Sequence, residues 1–453
     1  MTHHAGLPRD VFKGMWTAQP EPFTRVLDHL KDEYLVYPPD TVFSYSNIGM
    51  TLLGHVVQQV AGRDFATHLE TTLLQPIGMA HAYFAPASRD GAQDAKGYRN
   101  HWPVPTMPLR DLPAGGLHAS VNDLSRFMMM QFAQGRVGDR QLIKAETLAE
   151  MWRPQNTHVA LDVDLHVGLG WMLSGFGDIN IRNAGPIAHH SGSTPLFHSQ
   201  LILLPVHRLG VVVLANSAEA RPAVTQIAVD ALTLALEAKT GITPPAERPW
   251  VDDDAASSVA ALRRFPGHYT TLIGAATIER SGSRLRGEVV GRSFNLVPRG
   301  AGWYGLQYRL FGLIPISLSA LDRYALRRAS IAGREVLLAG DGYAKLLVGE
   351  RLTPHPISPA WRRRVGTYEM VNRDQDELLL KKLALVIKDG VLLLRVTVPH
   401  GGESGEIAVE PVSDTQAVLP LVLAGAGETL QAVHVDGVEM WRYSGYLFKR
   451  TAD

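Results

Sequence analysis

The chain has 453 residues, 45% hydrophobic and 19% charged, which suits two or three globular domains with full cores. Lys+Arg 44 balances Asp+Glu 44, so composition points to no nucleic-acid or membrane-surface partner. The sequence has no cysteine, which excludes disulfides, thiolate chemistry and cysteine metal sites, and it has no apolar run of about 18 residues, so no integral membrane segment is expected.

In chain order, Tyr37-Pro38-Pro39-Asp40 reads as a turn. The next stretch, Phe43 to Met50, leads into a helix. Ile48, Leu52, Leu53, Val56, Val57 and Val60 recur at helical spacing, and Gly62 supplies the stop. Ser46 or Asn47 takes the N-cap position, which leaves Tyr45 and Asn47 at the mouth of the helix. Asp64 to Leu74 reads as a second helix, and Gly97 to Pro105 as a loop rich in aromatics and prolines. Ser120 and Asp123 form a capping box that opens a helix containing Met128, Met129 and Met130, which are expected to fill core.

His189 to Pro195 runs into two strand patterns, Ser199 to Leu204 and Gly210 to Ala215, closed by a helix from Ala223 to Ala238. On a strand His190 and Gly192 share one face, and His189 and Ser191 the other. His190 is either an ordinary strand-end histidine or a functional one. His3 and His4 read as turn-packing residues. His3-His4 and His189-His190 are adjacent pairs, and no His-Glu-x-x-His occurs, so no metal or cofactor is expected.

Gly241 to Ser258, with its prolines and Asp252-Asp253-Asp254, reads as a linker. Beyond it the chain turns β-rich, in two halves that look alike. Phe265-Pro266-Gly267-His268-Tyr269 is echoed by Val365-Gly366-Thr367-Tyr368, and Gly342-Tyr343-Ala344-Lys345-Leu346 by Gly445-Tyr446-Leu447-Phe448-Lys449. The halves predict two small antiparallel barrels; one barrel built from both is the alternative.

Tyr45-Ser46-Asn47 resembles the Tyr-x-Asn motif of the serine β-lactamase and penicillin-binding-protein superfamily. His190-Ser191-Gly192 resembles its third motif, in the His-x-Gly form of D-aminopeptidase-like and esterase-like members. Thr2 to Pro8 resembles its Thr-His-x-Ser-Gly-Leu-Pro segment, and Pro113-Ala114-Gly115-Gly116-Leu117 its Pro-Ala-Gly-Gly-Leu segment. The resemblance covers roughly Met1 to Leu236. It implies a mixed α/β, β-lactamase-like domain with an antiparallel sheet and a helical subdomain over 1–240. A linker over 241–262 and lipocalin-like β-barrel units over 263–352 and 364–453 would follow.

The resemblance also implies acyl-enzyme chemistry on an ester, a D-amino-acid amide or a short peptide. In that scheme Tyr45 relays the nucleophile's proton and Asn47 binds the substrate amide. His190 stands where the family usually has a lysine, Gly192 lets the substrate approach, and the Ser193 amide is one oxyanion donor. The family's Ser-x-x-Lys motif has no counterpart, because no serine here has lysine three places on. The chain therefore reads as N-terminally shortened and inactive as written, with Ser46 and Ser191 as unactivated rivals. The alternative is a non-catalytic binding protein on a degenerate hydrolase frame. The family favours a periplasmic or secreted location, and a homo-oligomer is a further expectation.

Overall fold

The computed structural model describes residues 1–31, 33–89, 94–175, 179, 181–244, 259–310, 314–316, 322–377, 380–397, 405–423 and 428–451. The first region is a mixed domain of helices and sheet, and the rest is two antiparallel β-barrels. Most of the linker expected at 241–262 lies outside the described residues.

Helix α1 (Asn47–Ala61) carries the mouth of the site. Ser46 is its N-cap: the hydroxyl accepts from the Gly49 amide and donates to the Pro8 carbonyl at 2.6 Å. Gly62 ends it in a left-handed conformation, φ 63°. Its buried line is Ile48, Thr51 and Gly54. Gly54 is there for close approach, since a Cβ would stand 2.2 Å from Pro113 Cγ on the short helix α2 (Leu112–Gly115). The sequence pattern placed Val56 and Val60 on the apolar face, but the fold leaves them 55% and 84% exposed.

The capping box of Ser120 and Asp123 is formed in both directions at the start of α3 (Val121–Phe132). Met130 is buried in the core as expected, whereas Met129 points to solvent. The 97–105 stretch is a hairpin of Gly97–Arg99 and Trp102–Val104, turned by Asn100 and His101 at positive φ. Trp102 is exposed on it.

Strands β1 (Ala188–Ser193), β2 (His198–Leu204) and β3 (Leu209–Ala215) form an antiparallel sheet in sequence order. Alternation along β2 gives the sheet two faces. Ile202 and Leu204 pack with Ala228, Leu232 and Leu236 of α4 (Arg221–Thr240). Leu203 and Leu201 pack on the other side with Trp171, Phe127 and Met128.

Each barrel closes on itself. In the first, Gly267–Thr271 pairs with Lys345–Arg351 and Arg292–Pro298 pairs with Trp303–Leu310. In the second, Gly366–Met370 pairs with Tyr446–Arg450, and the two ends of the sheet are Gly405–Ala408 and Glu410–Pro411, one stretch of chain interrupted at Val409. The repeat goes deeper than the motifs. Tyr269 Oη donates to the Phe265 carbonyl and Tyr368 Oη to the Arg364 carbonyl, each four residues back. Arg351 lies across Gly267 and Arg450 across Gly366, where a Cβ would stand 3.0 and 3.1 Å from the guanidinium. Glycine, tyrosine and arginine all repeat at one offset of 99 residues (366 − 267, 368 − 269, 450 − 351).

Both barrels are seated on the first domain. Tyr37, Val42 and Leu161 share one buried cluster with Trp303, Ala325, Val336, Leu338 and Leu347 of the first barrel and Val422 of the second. Lys13 reaches Asp374 and Asp376 of the second barrel at 2.8 and 3.2 Å.

Candidate active site

The Tyr45 mouth and the β1 edge meet. The rings of Tyr45 and His190, 145 positions apart (190 − 45), have centroids 6.2 Å apart. His3 completes the group, stacked on Tyr45 with centroids 4.3 Å apart and planes 27° apart. The Arg9 guanidinium lies 6.0 Å from the Tyr45 ring centre. Asn47, on the first turn of α1, donates through Nδ2 to Asp10 Oδ1 at 2.8 Å.

The charge state of the cluster follows from burial. Tyr45 is pushed above the ordinary phenol value, mainly by loss of water, with Asp10 adding to the shift and Arg9 opposing it. It is a phenol at neutral pH. His3 is lowered to about 3, chiefly by burial, and its Nδ1 accepts from the Ser46 amide at 3.1 Å. His190 is lowered by burial too. Its Nδ1 lies 2.7 Å from the Ser191 carbonyl, which can only accept, so Nδ1 carries the hydrogen and Nε2 keeps its lone pair. His190 is thus a neutral acceptor through Nε2. Burial raises Asp10 as well.

Gly192 has a steric reason to be glycine. A Cβ there would lie 2.4 Å from Ser199 Oγ on β2. The edge of β1 that faces away from β2 presents every second amide. His189 exchanges both backbone hydrogen bonds with Met172 on that side, so alternation turns the Ser191 and Ser193 amides outward too. The second barrel also reaches the site: Leu423 bridges Ser44, and its carbonyl accepts from the Tyr45 amide at 3.5 Å.

The five predicted residues are therefore divided between two walls, Tyr45 with Asn47 and His190 with Gly192 and Ser193. Motif reading missed the support beneath them. Buried Asp162 accepts from His4 Nε2 and the Phe43 amide, each at 2.7 Å, and from Asn156 Nδ2. It ties down the neighbours of both stacked rings, His3 and Tyr45. His3 lies within the Thr2–Pro8 segment and Arg9 directly follows it, which was the one available signal; Asp162 lies in no motif. Among the described residues no group of three or more His, Asp or Glu could hold a metal ion. No described helix is long and apolar enough to cross a membrane.

The family model described as Beta-lactamase matches residues 1–235. The chain belongs to the beta-lactamase family. Protein flp of Staphylococcus aureus (strain NCTC 8325 / PS 47) is 25% identical over 227 residues, 47% of this chain and 41% of flp. The chain thus spans less than half the length of that relative. Similar solved structures include SurE with D-Leu, at 22% identity and TM-score 0.49 over 78% of this chain and 76% of that one. The octameric penicillin-binding protein homologue from Pyrococcus abyssi is 20% identical, with TM-score 0.45 over 76% of each chain.

Proposed function

We propose that this domain is built for the acyl-transfer chemistry of serine hydrolases, on short esters or D-amino-acid amides rather than on penicillins. The observation that carries the reading is the meeting of Tyr45 and His190 across two distant segments of a beta-lactamase-family domain. Tyr45, held as a phenol, passes a proton between the nucleophile and the leaving group. Asn47 hydrogen-bonds the substrate amide. The outward amide of Ser193 supplies one oxyanion donor. Neutral His190 offers Nε2 as an acceptor and does not attract a substrate carboxylate as a lysine would. Substrates that lack a carboxylate are therefore preferred.

The test is to place a Ser-x-x-Lys-bearing segment ahead of Met1 and compare turnover of a short ester, a D-alanine amide and benzylpenicillin. Ester or amide turnover should exceed penicillin turnover, and Tyr45→Phe should lower it about 10²-fold or more. Penicillin as the best substrate, or Tyr45→Phe without effect, refutes the reading. One observation favours a second reading, a binding protein on the same frame: no serine has lysine three places on. Saturable binding of the amide, with no turnover in the extended protein, would select it.

A further inference from the structure

A serine and a histidine on the opposite face of the sheet meet in a way that no motif spacing announces. Ser193 and His198 are cross-strand partners at the β1–β2 turn, and Ser193 Oγ lies 2.9 Å from His198 Nδ1. On its other side His198 Nε2 lies 3.0 Å from the Ala218 carbonyl. A carbonyl only accepts, so Nε2 carries the hydrogen, and in neutral His198 the lone pair is on Nδ1. The Ser193 hydroxyl therefore donates to a base whose tautomer is set by a third group, the arrangement that activates a serine.

The backbone holds that third group firmly. The Ala218 amide donates to the Tyr98 carbonyl at 2.9 Å, and the Ala220 amide to the Ser217 carbonyl at 3.0 Å, just ahead of α4. His198 is buried, at 7% exposure, so the imidazole is fixed and shielded, whereas Ser193 is exposed at the end of an open edge. The other serines considered as nucleophiles lack this. Ser46 spends its hydroxyl on Pro8 and its cap on Gly49.

We propose that Ser193 and His198 form a second nucleophile–base pair, separate from the Tyr45–His190 cluster, that takes acyl groups from activated donors such as aryl esters. Ser193 Oγ bonds to the acyl carbon while its proton passes to His198 Nδ1. The bond from the acyl carbon to the aryl oxygen breaks, and the leaving aryloxide takes the proton from His198. Water then adds to the Ser193 ester with His198 as base, releasing the carboxylic acid and restoring Ser193. The side chains of Ser193 and His190 stand on opposite faces of β1, so this pair can fail without touching the function proposed above, and the reverse.

The experiment treats the 453-residue chain with a fluorophosphonate probe and maps the adduct by mass spectrometry. The expected adduct is on Ser193. Ser193→Ala abolishes labelling, His198→Gln slows it about 100-fold or more, and Ser125→Ala, on the outer face of α3, leaves it unchanged. Should buried His198 tolerate no substitution, the mapped site and the exposed Ser193→Ala variant still decide. An adduct on any other serine, or no adduct on the folded chain, overturns the proposal, and equal labelling of wild type and His198→Gln removes the base from it.

Discussion

Asp162→Ala should be among the most damaging single substitutions in the first domain. The carboxylate accepts from three donors, His4 Nε2, the Phe43 amide and Asn156 Nδ2, and Asp162, His4 and Asn156 are all buried. A buried donor that loses its partner costs about 1–3 kcal/mol. Taking the lower end for each, because water can enter the space left behind, gives a loss of about 3 kcal/mol. Asp162→Asn should cost less. One oxygen still serves the Phe43 amide, and His4 can present an unprotonated Nε2 to the new amide, which leaves the clash with Asn156 as the main loss, about 1–2 kcal/mol. The assay is urea unfolding followed by hydrogen exchange at the Phe43 amide, which separates this domain from the barrels. The Ala variant should lose Phe43 protection together with stability, and the His3–Tyr45 stack should loosen with it. A double-mutant cycle with His4→Gln should show strong non-additivity. A loss below 0.5 kcal/mol in the Ala variant, or Phe43 protection unchanged, would refute the argument that Asp162 holds the site together.

Three further outcomes follow from other parts of the molecule. His3 is lowered to about 3 and His189 to about 4, both first by burial, so between those values and the unfolded imidazole near 6.5 only the unfolded chain is protonated there. Stability is then complete above about pH 6.5 and falls on acidification at up to about 1.4 kcal/mol per pH unit for each histidine; unfolding midpoints at pH 7, 5.5 and 4.5 should show this, and His189→Gln should flatten the slope. Gly192→Ala should destabilise the β1 edge by about 1 kcal/mol, because its Cβ would meet Ser199 Oγ, and Ser199→Ala should recover the loss, as the Ser199 Cβ stands 3.7 Å away; thermal melts of the single and double variants decide. Val56 and Val60 on α1 and Ile227 and Leu234 on α4 are large exposed side chains, so the chain should bind a hydrophobic dye and self-associate. Val60→Glu should reduce both, as read by dye fluorescence and light scattering, with little change in stability.

Much of the frame was legible because its signals are local. Ser46 as cap, Gly62 as stop and the Ser120–Asp123 box each act within one helical turn, where spacing along the chain is spacing in space. The strand pair after His190 declared itself by apolar runs around a turn. The barrel repeat was visible at Gly267 and Gly366 because both hold a positive φ, 155° and 149°, that other residues adopt only with strain. Spacing could also say that Tyr45 and Asn47 stand at a helix mouth, and that His190 and Gly192 share a face.

What only the tertiary structure decided is everything that depends on which surfaces meet. Helical periodicity marked Val56 and Val60 as apolar but could not tell which neighbours would cover the helix, and the fold leaves them in solvent. The His3–Tyr45 stack, the Asp162 anchor and the contact of Leu423 with Tyr45 join segments as far as 378 positions apart (423 − 45), brought together by packing that no short-range pattern encodes. Ser193 and His198 are only five positions apart, yet their pairing depends on strand register. A shift of one residue would turn His198 to the other face and away from the Ala218 carbonyl. Residue types and local geometry are written along the chain; register and burial, which set tautomers and charge states, exist only once the sheet and its neighbours have closed.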